Sequence, residues 1–152
     1  MFDVGKHNTN IFLLIAAILS LIAALLHIFC IIGGEDWYRV LGAGEKMAML
    51  AAQGSWIPTL VTLFVASILT VWACYAFSGA GILPCMPLLK VALFIIAFIY
   101  IARGLVLLPL SLGWLNETEQ SNTFWFWSSV ICLVYGFFYA IGTYQLWKGA
   151  KQ

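Results

Sequence analysis

Val91-ALFIIAFIYIARGLVLLP-Leu110 is twenty residues with a single charge, Arg103, and it decides how the rest of the chain is read. Twenty apolar residues wind into a helix of roughly 30 Å, the thickness of a bilayer's hydrocarbon core. An arginine inside such a run is costly to place in lipid, so it marks a candidate functional position and demands a named partner.

Similar blocks lie on either side. They run from about Ile11 to Ile32, Ile57 to Phe77, Leu88 to Leu110 and Phe124 to Trp147. Hydrophobic residues make up 64% of the 152-residue chain and charged residues 9%, too few charges to cover a water-soluble surface. The blocks lack the short, alternating pattern of barrel strands, and lipid requires each segment to satisfy its own backbone. The sequence therefore predicts an all-α, single-domain integral membrane protein, a bundle of four transmembrane helices. The first block exceeds a signal peptide's apolar core and no Ala-x-Ala site follows it, so it is expected to remain as an anchor.

Orientation follows from the basic residues. Lys6, Lys90, Lys148 and Lys151 fall on one side, and Arg39 and Lys46 on the other. Both termini are thus expected in the cytoplasm, with Glu35, Asp36, Glu45, Glu117 and Glu119 outside. Ser78 to Pro87, with Gly79, Gly81, Pro84 and Pro87, reads as a tight cytoplasmic turn. In the first outer loop Gly33-Gly34 stops the helix, and Glu35-Asp36-Trp37-Tyr38-Arg39 sets charges beside aromatics. Ala43 to Gln53 has the composition of a short interfacial helix. Gly54 would end it, and Pro58 suits the first turn of the next helix. Trp37, Tyr38, Trp56, Trp114, Trp125 and Trp127 gather at the outer boundary, as an aromatic belt does.

His27 is the one acidic or basic side chain of the first block, and helix arithmetic puts it roughly 24 Å from Ile11, against roughly 20 Å from Lys90 to Arg103. Both fall in the outer half of the bilayer, which makes His27 the expected neighbour of Arg103. Tyr100 lies three residues before Arg103 on nearly the same face. Ser128, Cys132, Tyr135 and Tyr139 are spaced to share one face of the fourth helix, and Thr59, Thr62, Ala66 and Thr70 one face of the second. Together they outline an outward-facing polar pocket. Arg103 would hold a small anionic or amphiphilic ligand through its fork of donors, and His27 would hydrogen-bond it or take a proton. Tyr100 and Tyr135 would add hydroxyls, while Glu35, Asp36 or Glu45 balance the arginine in the empty site. The structural alternative has Arg103 reaching upward to Glu35 or Asp36, with His27 and the small-residue stripes serving helix packing.

Other chemistry is thin. Cys30, Cys74, Cys85 and Cys132 form neither a Cys-x-x-Cys pair nor a zinc spacing, and read as packing residues. Gly42-Ala43-Gly44 is too short for a phosphate loop, Asn116-Glu117-Thr118 is a glycosylation acceptor triplet, and no basic patch points to nucleic acid. No metal set, cofactor motif or catalytic nucleophile is evident, so an enzyme acting on lipids or quinones is the least supported reading. A non-catalytic assembly subunit using the first outer loop stands as the alternative to ligand binding. A chain this short would complete a transport path only as a homo-oligomer or beside a membrane partner.

His27 near the first helix end, Gly33-Gly34 followed by Trp37, and Arg103-Gly104 in the third block resemble an uncharacterised family of small bacterial inner-membrane proteins with four helices. The resemblance touches about a third of the chain and departs from it at Glu35 to Arg39. It implies the same four-helix topology in a bacterial plasma membrane and carries no activity.

Overall fold

The computed structural model describes residues 9–111 and 119–149, with side chains described outside the interval 106–125. Six helices follow in order: α1 (Ile11–Gly33), α2 (Glu35–Val40), α3 (Glu45–Ala52), α4 (Ile57–Gly79), α5 (Leu89–Ser111) and α6 (Glu119–Gly149). No strand occurs among the described residues. Three helical stretches are long and apolar enough to cross a membrane: Ile11–Gly33, Ile57–Gly79 and Phe126–Gly149.

The sequence boundaries hold to within about two residues for α1, α4 and α5. The last helix begins at Glu119, five residues before the expected start, and runs to Gly149. Its 31 residues measure roughly 46 Å, so it overhangs any 30 Å core by several turns. The opening of α6, Glu119 to Thr123, is helical with a uniformly polar sequence, which hydropathy could not register.

α1 packs along α4 and α5 along α6; the two pairs then meet through α1 with α6 and α4 with α5. α1 and α5 make no close backbone approach and sit diagonally. Asn10 at the start of α1 caps that helix by accepting from the Leu13 N–H (3.2 Å) and donates from Nδ2 to the Gly142 carbonyl (2.8 Å) near the end of α6. One asparagine thus satisfies an orphan helix donor and ties two distant segments together.

The interior is built of small residues. Ala16, Ala17, Ser20 and Ala24 of α1 are buried, as are Thr62, Ala66, Ala73 and Ala76 of α4. Large side chains such as Leu25, Phe29, Phe64, Phe98 and Phe137 face outward. Such an arrangement would be untenable in water and suits lipid, where close backbone approach drives helix association. Glycines set the tightest approaches. A Cβ on Gly104 would meet Leu133 Cγ at 2.6 Å and the Ser129 carbonyl at 3.1 Å, and one on Gly136 would meet the Ile101 nitrogen at 3.1 Å.

Two turns close the architecture. Between α4 and α5, the Ser78 hydroxyl donates to the Pro84 carbonyl (2.7 Å) and accepts from the Met86 N–H (3.1 Å), so one buried serine organises the proline-rich turn. At the other end Gly34 adopts φ 67°, ψ −150°, a conformation open to glycine almost alone. The chain reverses there straight into α2. The stretch expected as a loop is therefore helical: Glu35–Val40 forms a turn and a half, with Glu35 and Asp36 at its start and Arg39 in its last turn, the order the helix dipole favours. The expected short helix is α3. Tyr38 does not join the aromatic belt. It is buried with Cys30 and Ala48 in a small satellite core, while Trp37, Trp56 and Trp127 are exposed. Trp114 and the Trp125 side chain lie outside the described residues.

Candidate functional site

Where the two helix pairs meet, the centre of the molecule is a cluster of hydroxyls and rings. Tyr139 of α6 is fully buried. Its hydroxyl donates to the Trp72 carbonyl of α4 (3.1 Å) and lies 2.9 Å from Ser20 Oγ of α1. The phenol has one proton and spends it on Trp72, so Ser20 is the donor of the second bond. Tyr135, one turn earlier on α6, donates to the Leu19 carbonyl at 2.9 Å. These side chains bond main-chain carbonyls that already serve their own helices, and so link three helices without unpairing any backbone.

Tyr100 completes the cluster from α5. Its ring packs edge-on against Trp72 (centroids 5.0 Å), stacks on Tyr139 (5.6 Å) and leans on Tyr135 (5.3 Å), within the range in which aromatic pairs attract. It is only 6% exposed, yet its hydroxyl has no hydrogen-bond partner among the described residues. Tyr100, Tyr135 and Tyr139 were all visible in the sequence as polar residues on inward faces. Ser20 and Trp72 were missed, since a lone serine in an alanine-rich run and a tryptophan in a membrane span look like packing.

Arg103 is placed differently from expectation. It is exposed, one turn above Tyr100, and makes no hydrogen bond or ion pair among the described residues. His27 is half-buried on α1, its Nδ1 2.7 Å from the Ala23 carbonyl. With the proton on Nδ1 that bond ties the ring to its own helix and leaves Nε2 free to accept. The two residues are not brought together as a pair, because α1 and α5 stand diagonally across the centre. Nor are they level. Counted from the Ser20–Tyr139–Tyr100 layer, Arg103 rises roughly 4.5 Å and His27 roughly 10 Å.

The acidic residues expected to balance Arg103 are engaged elsewhere or stand apart. Glu45 receives a shared Nε–H bond from Arg39 (3.1 Å to Oε2, 3.2 Å to Oε1) and an Nη2 bond to Oε1 (3.1 Å), and Asp36 lies 3.4 Å from Arg39 Nη1. This fork joins α2 to α3. The Glu45 bond and charge, followed by the charges of Glu35 and Asp36, hold the Arg39 guanidinium above its ordinary range. Glu35 is half-buried and bonds no described residue. Arg39, Asp36 and Glu45 are exposed, so the network is a local clasp and adds little to stability.

The polar stripes are rotated slightly from their expected faces. On α6 the buried line is Ser129, Cys132, Gly136, Tyr139 and Thr143, with Ser128 beside it. On α4 Thr62 and Ala66 face inward, Thr59 is half-buried, and Thr70 turns outward to donate to the Ala66 carbonyl at 2.8 Å. Cys30 and Cys132 are buried, Cys74 is half-buried and Cys85 is exposed on the turn. Among the described residues no three His, Cys, Asp or Glu gather as a metal site. A shallow groove between α5 and α6, bounded by Phe94, Phe98, Ile101, Thr143, Tyr144 and Trp147, has no charged residue in its lining; Lys148 holds its Nζ 4.9 Å over the Tyr144 ring. No protein family, curated protein or solved structure matches the chain.

Proposed function

We propose that this chain is a multi-pass membrane protein, its four long helices spanning a bacterial plasma membrane as an antiparallel bundle with both termini in the cytoplasm. Its role is to bind a small anionic or amphiphilic ligand in the outer half of the bundle. The observation that carries this reading is Arg103: a permanent cation on an apolar helix, exposed and without a partner among the described residues. A charge kept at that cost has an anion to meet. Tyr100 and Tyr135 lie in the layer below it, and His27, on the diagonal helix α1, is bonded at Nδ1 and keeps Nε2 for a ligand. Glu35 and Asp36 stand at the start of α2, just past the far end of α1. The inside-out distribution of small and large residues supports the membrane setting, and the lysines near Lys6, Lys90, Lys148 and Lys151 support the orientation.

Native mass spectrometry of gently solubilised protein tests this reading. Wild type should retain a small molecule that Arg103→Ala loses and that Glu35→Gln/Asp36→Asn keeps. No ligand in any form, with equal destabilisation of both variants, would make Arg103 a structural tie. A second reading, an assembly subunit, rests on the exposed Trp37, Val40, Met49 and Trp56 around the α2–α3 clasp. It expects a stoichiometric protein partner lost on mutating that cap.

A further inference from the structure

The seam between α4 and α5 opens toward Arg103. At its closed end Gly79 of α4 lies against Leu93 of α5, which is fully buried. Ile96 is buried, and Trp72 meets Tyr100. Beyond that contact Ile68 and Val65 of α4 are only half-buried, and Val61 and Arg103 are exposed. α5 packs along α6 far more extensively than along α4. Helical periodicity confirms which seam Arg103 occupies. Gly104 and Ile101 face α6, against Leu133 and Gly136. Arg103 lies about 60° round from Tyr100 in the opposite sense, which is the α4 side.

A wedge with an apolar wall, an aromatic floor and one cation at its edge matches a single kind of occupant. We propose that the α4–α5 seam is a lateral binding site for an anionic phospholipid of the outer leaflet. One acyl chain lies against Val65 and Ile68 down to the Trp72–Tyr100 floor. The Arg103 guanidinium, carried upward on its apolar stem, meets the phosphate through its planar fork. This deepens the ligand reading above and rests on it: it names the ligand class and has it enter sideways from lipid rather than from the aqueous side. Charge complementarity selects the occupant. A zwitterionic lipid carries the same phosphate already balanced by its own ammonium and so brings no net charge to neutralise the arginine, and a soluble anion would leave the apolar seam uncovered.

The test titrates detergent-solubilised wild type and variants with phosphatidylglycerol, phosphatidylcholine or inorganic phosphate, and reads bound species by native mass spectrometry. Wild type should retain phosphatidylglycerol over phosphatidylcholine, and millimolar phosphate should not displace it. Arg103→Gln should lower phosphatidylglycerol retention about fivefold, the weight of one cationic side chain at an anionic surface, and lower phosphatidylcholine retention far less. Arg103→Lys should keep most of the retention, which separates lost charge from lost fold. Val61→Trp, at an exposed position, and Val65→Trp should each reduce retention by filling the seam. Arg103-dependent binding of phosphate, or lipid retention indifferent to both tryptophans, would overturn the lateral lipid site while leaving ligand binding at Arg103 intact. No species dependent on Arg103 would overturn both.

Discussion

Removing one oxygen from the centre of this protein separates two tyrosines that share a stack. Tyr139→Phe abolishes the bonds to Trp72 and Ser20 and leaves the Ser20 hydroxyl, fully buried, without its acceptor. Hydrogen bonds between membrane helices average about 0.6 kcal/mol each, so the two bonds contribute about 1.2 kcal/mol. An orphaned buried hydroxyl adds about 1 kcal/mol or more. Ser20 can, however, turn to a carbonyl one turn back on its own helix, which returns part of that cost. The expected loss is about 1–2 kcal/mol, a factor of about 5 to 30 in the folding equilibrium. Tyr100→Phe keeps the same ring contacts and removes a hydroxyl without a partner, so it should be neutral or slightly stabilising. Reversible unfolding in mixed micelles, with Ser20→Ala closing a double-mutant cycle against Tyr139→Phe, measures both. A coupling energy near zero for Ser20 and Tyr139 would refute the reasoning, as would Tyr100→Phe costing as much as Tyr139→Phe.

Gly104→Ala should lower stability by about 1–3 kcal/mol, because its Cβ would press on Leu133 and on the Ser129 carbonyl; the same unfolding assay reads it. Gly34→Ala should act locally. It meets no neighbour but must hold a positive φ, at a cost of about 1–3 kcal/mol. Hydrogen exchange should therefore quicken in α2 and α3 while α1 and α4 stay protected. A membrane-impermeant maleimide added to intact cells should leave Cys85, exposed on the α4–α5 turn, unlabelled until the membrane is opened. Labelling from outside would invert the proposed topology.

Much of the helical layout is legible in the sequence because it is decided locally. Hydropathic runs mark α1, α4 and α5 to within about two residues. Gly33-Gly34, Gly54 and the prolines between Ser78 and Pro87 mark the breaks, since φ restrictions act on one residue at a time. The same local logic finds α3 but misses α2, where a positive-φ glycine turns a charged, aromatic stretch directly into a second helix.

Helix rotation and neighbour order belong to the tertiary structure. In water an amphipathic pattern reveals the buried face; in lipid both faces are apolar and the pattern fades. What rotates each helix into place is the fit of small residues, such as Gly104 against Leu133 or Gly136 against Ile101, and no spacing rule names such partners. The sequence could list Tyr100, Tyr135, Tyr139, His27 and Arg103 as polar residues in apolar runs. Only packing decided that three tyrosines converge with Ser20 and Trp72, that Asn10 reaches Gly142, and that His27 and Arg103 stand on diagonal helices. The membrane character resides in composition, which every segment carries by itself. The site resides in side-chain fit between segments far apart in the chain, which exists only once the helices have packed.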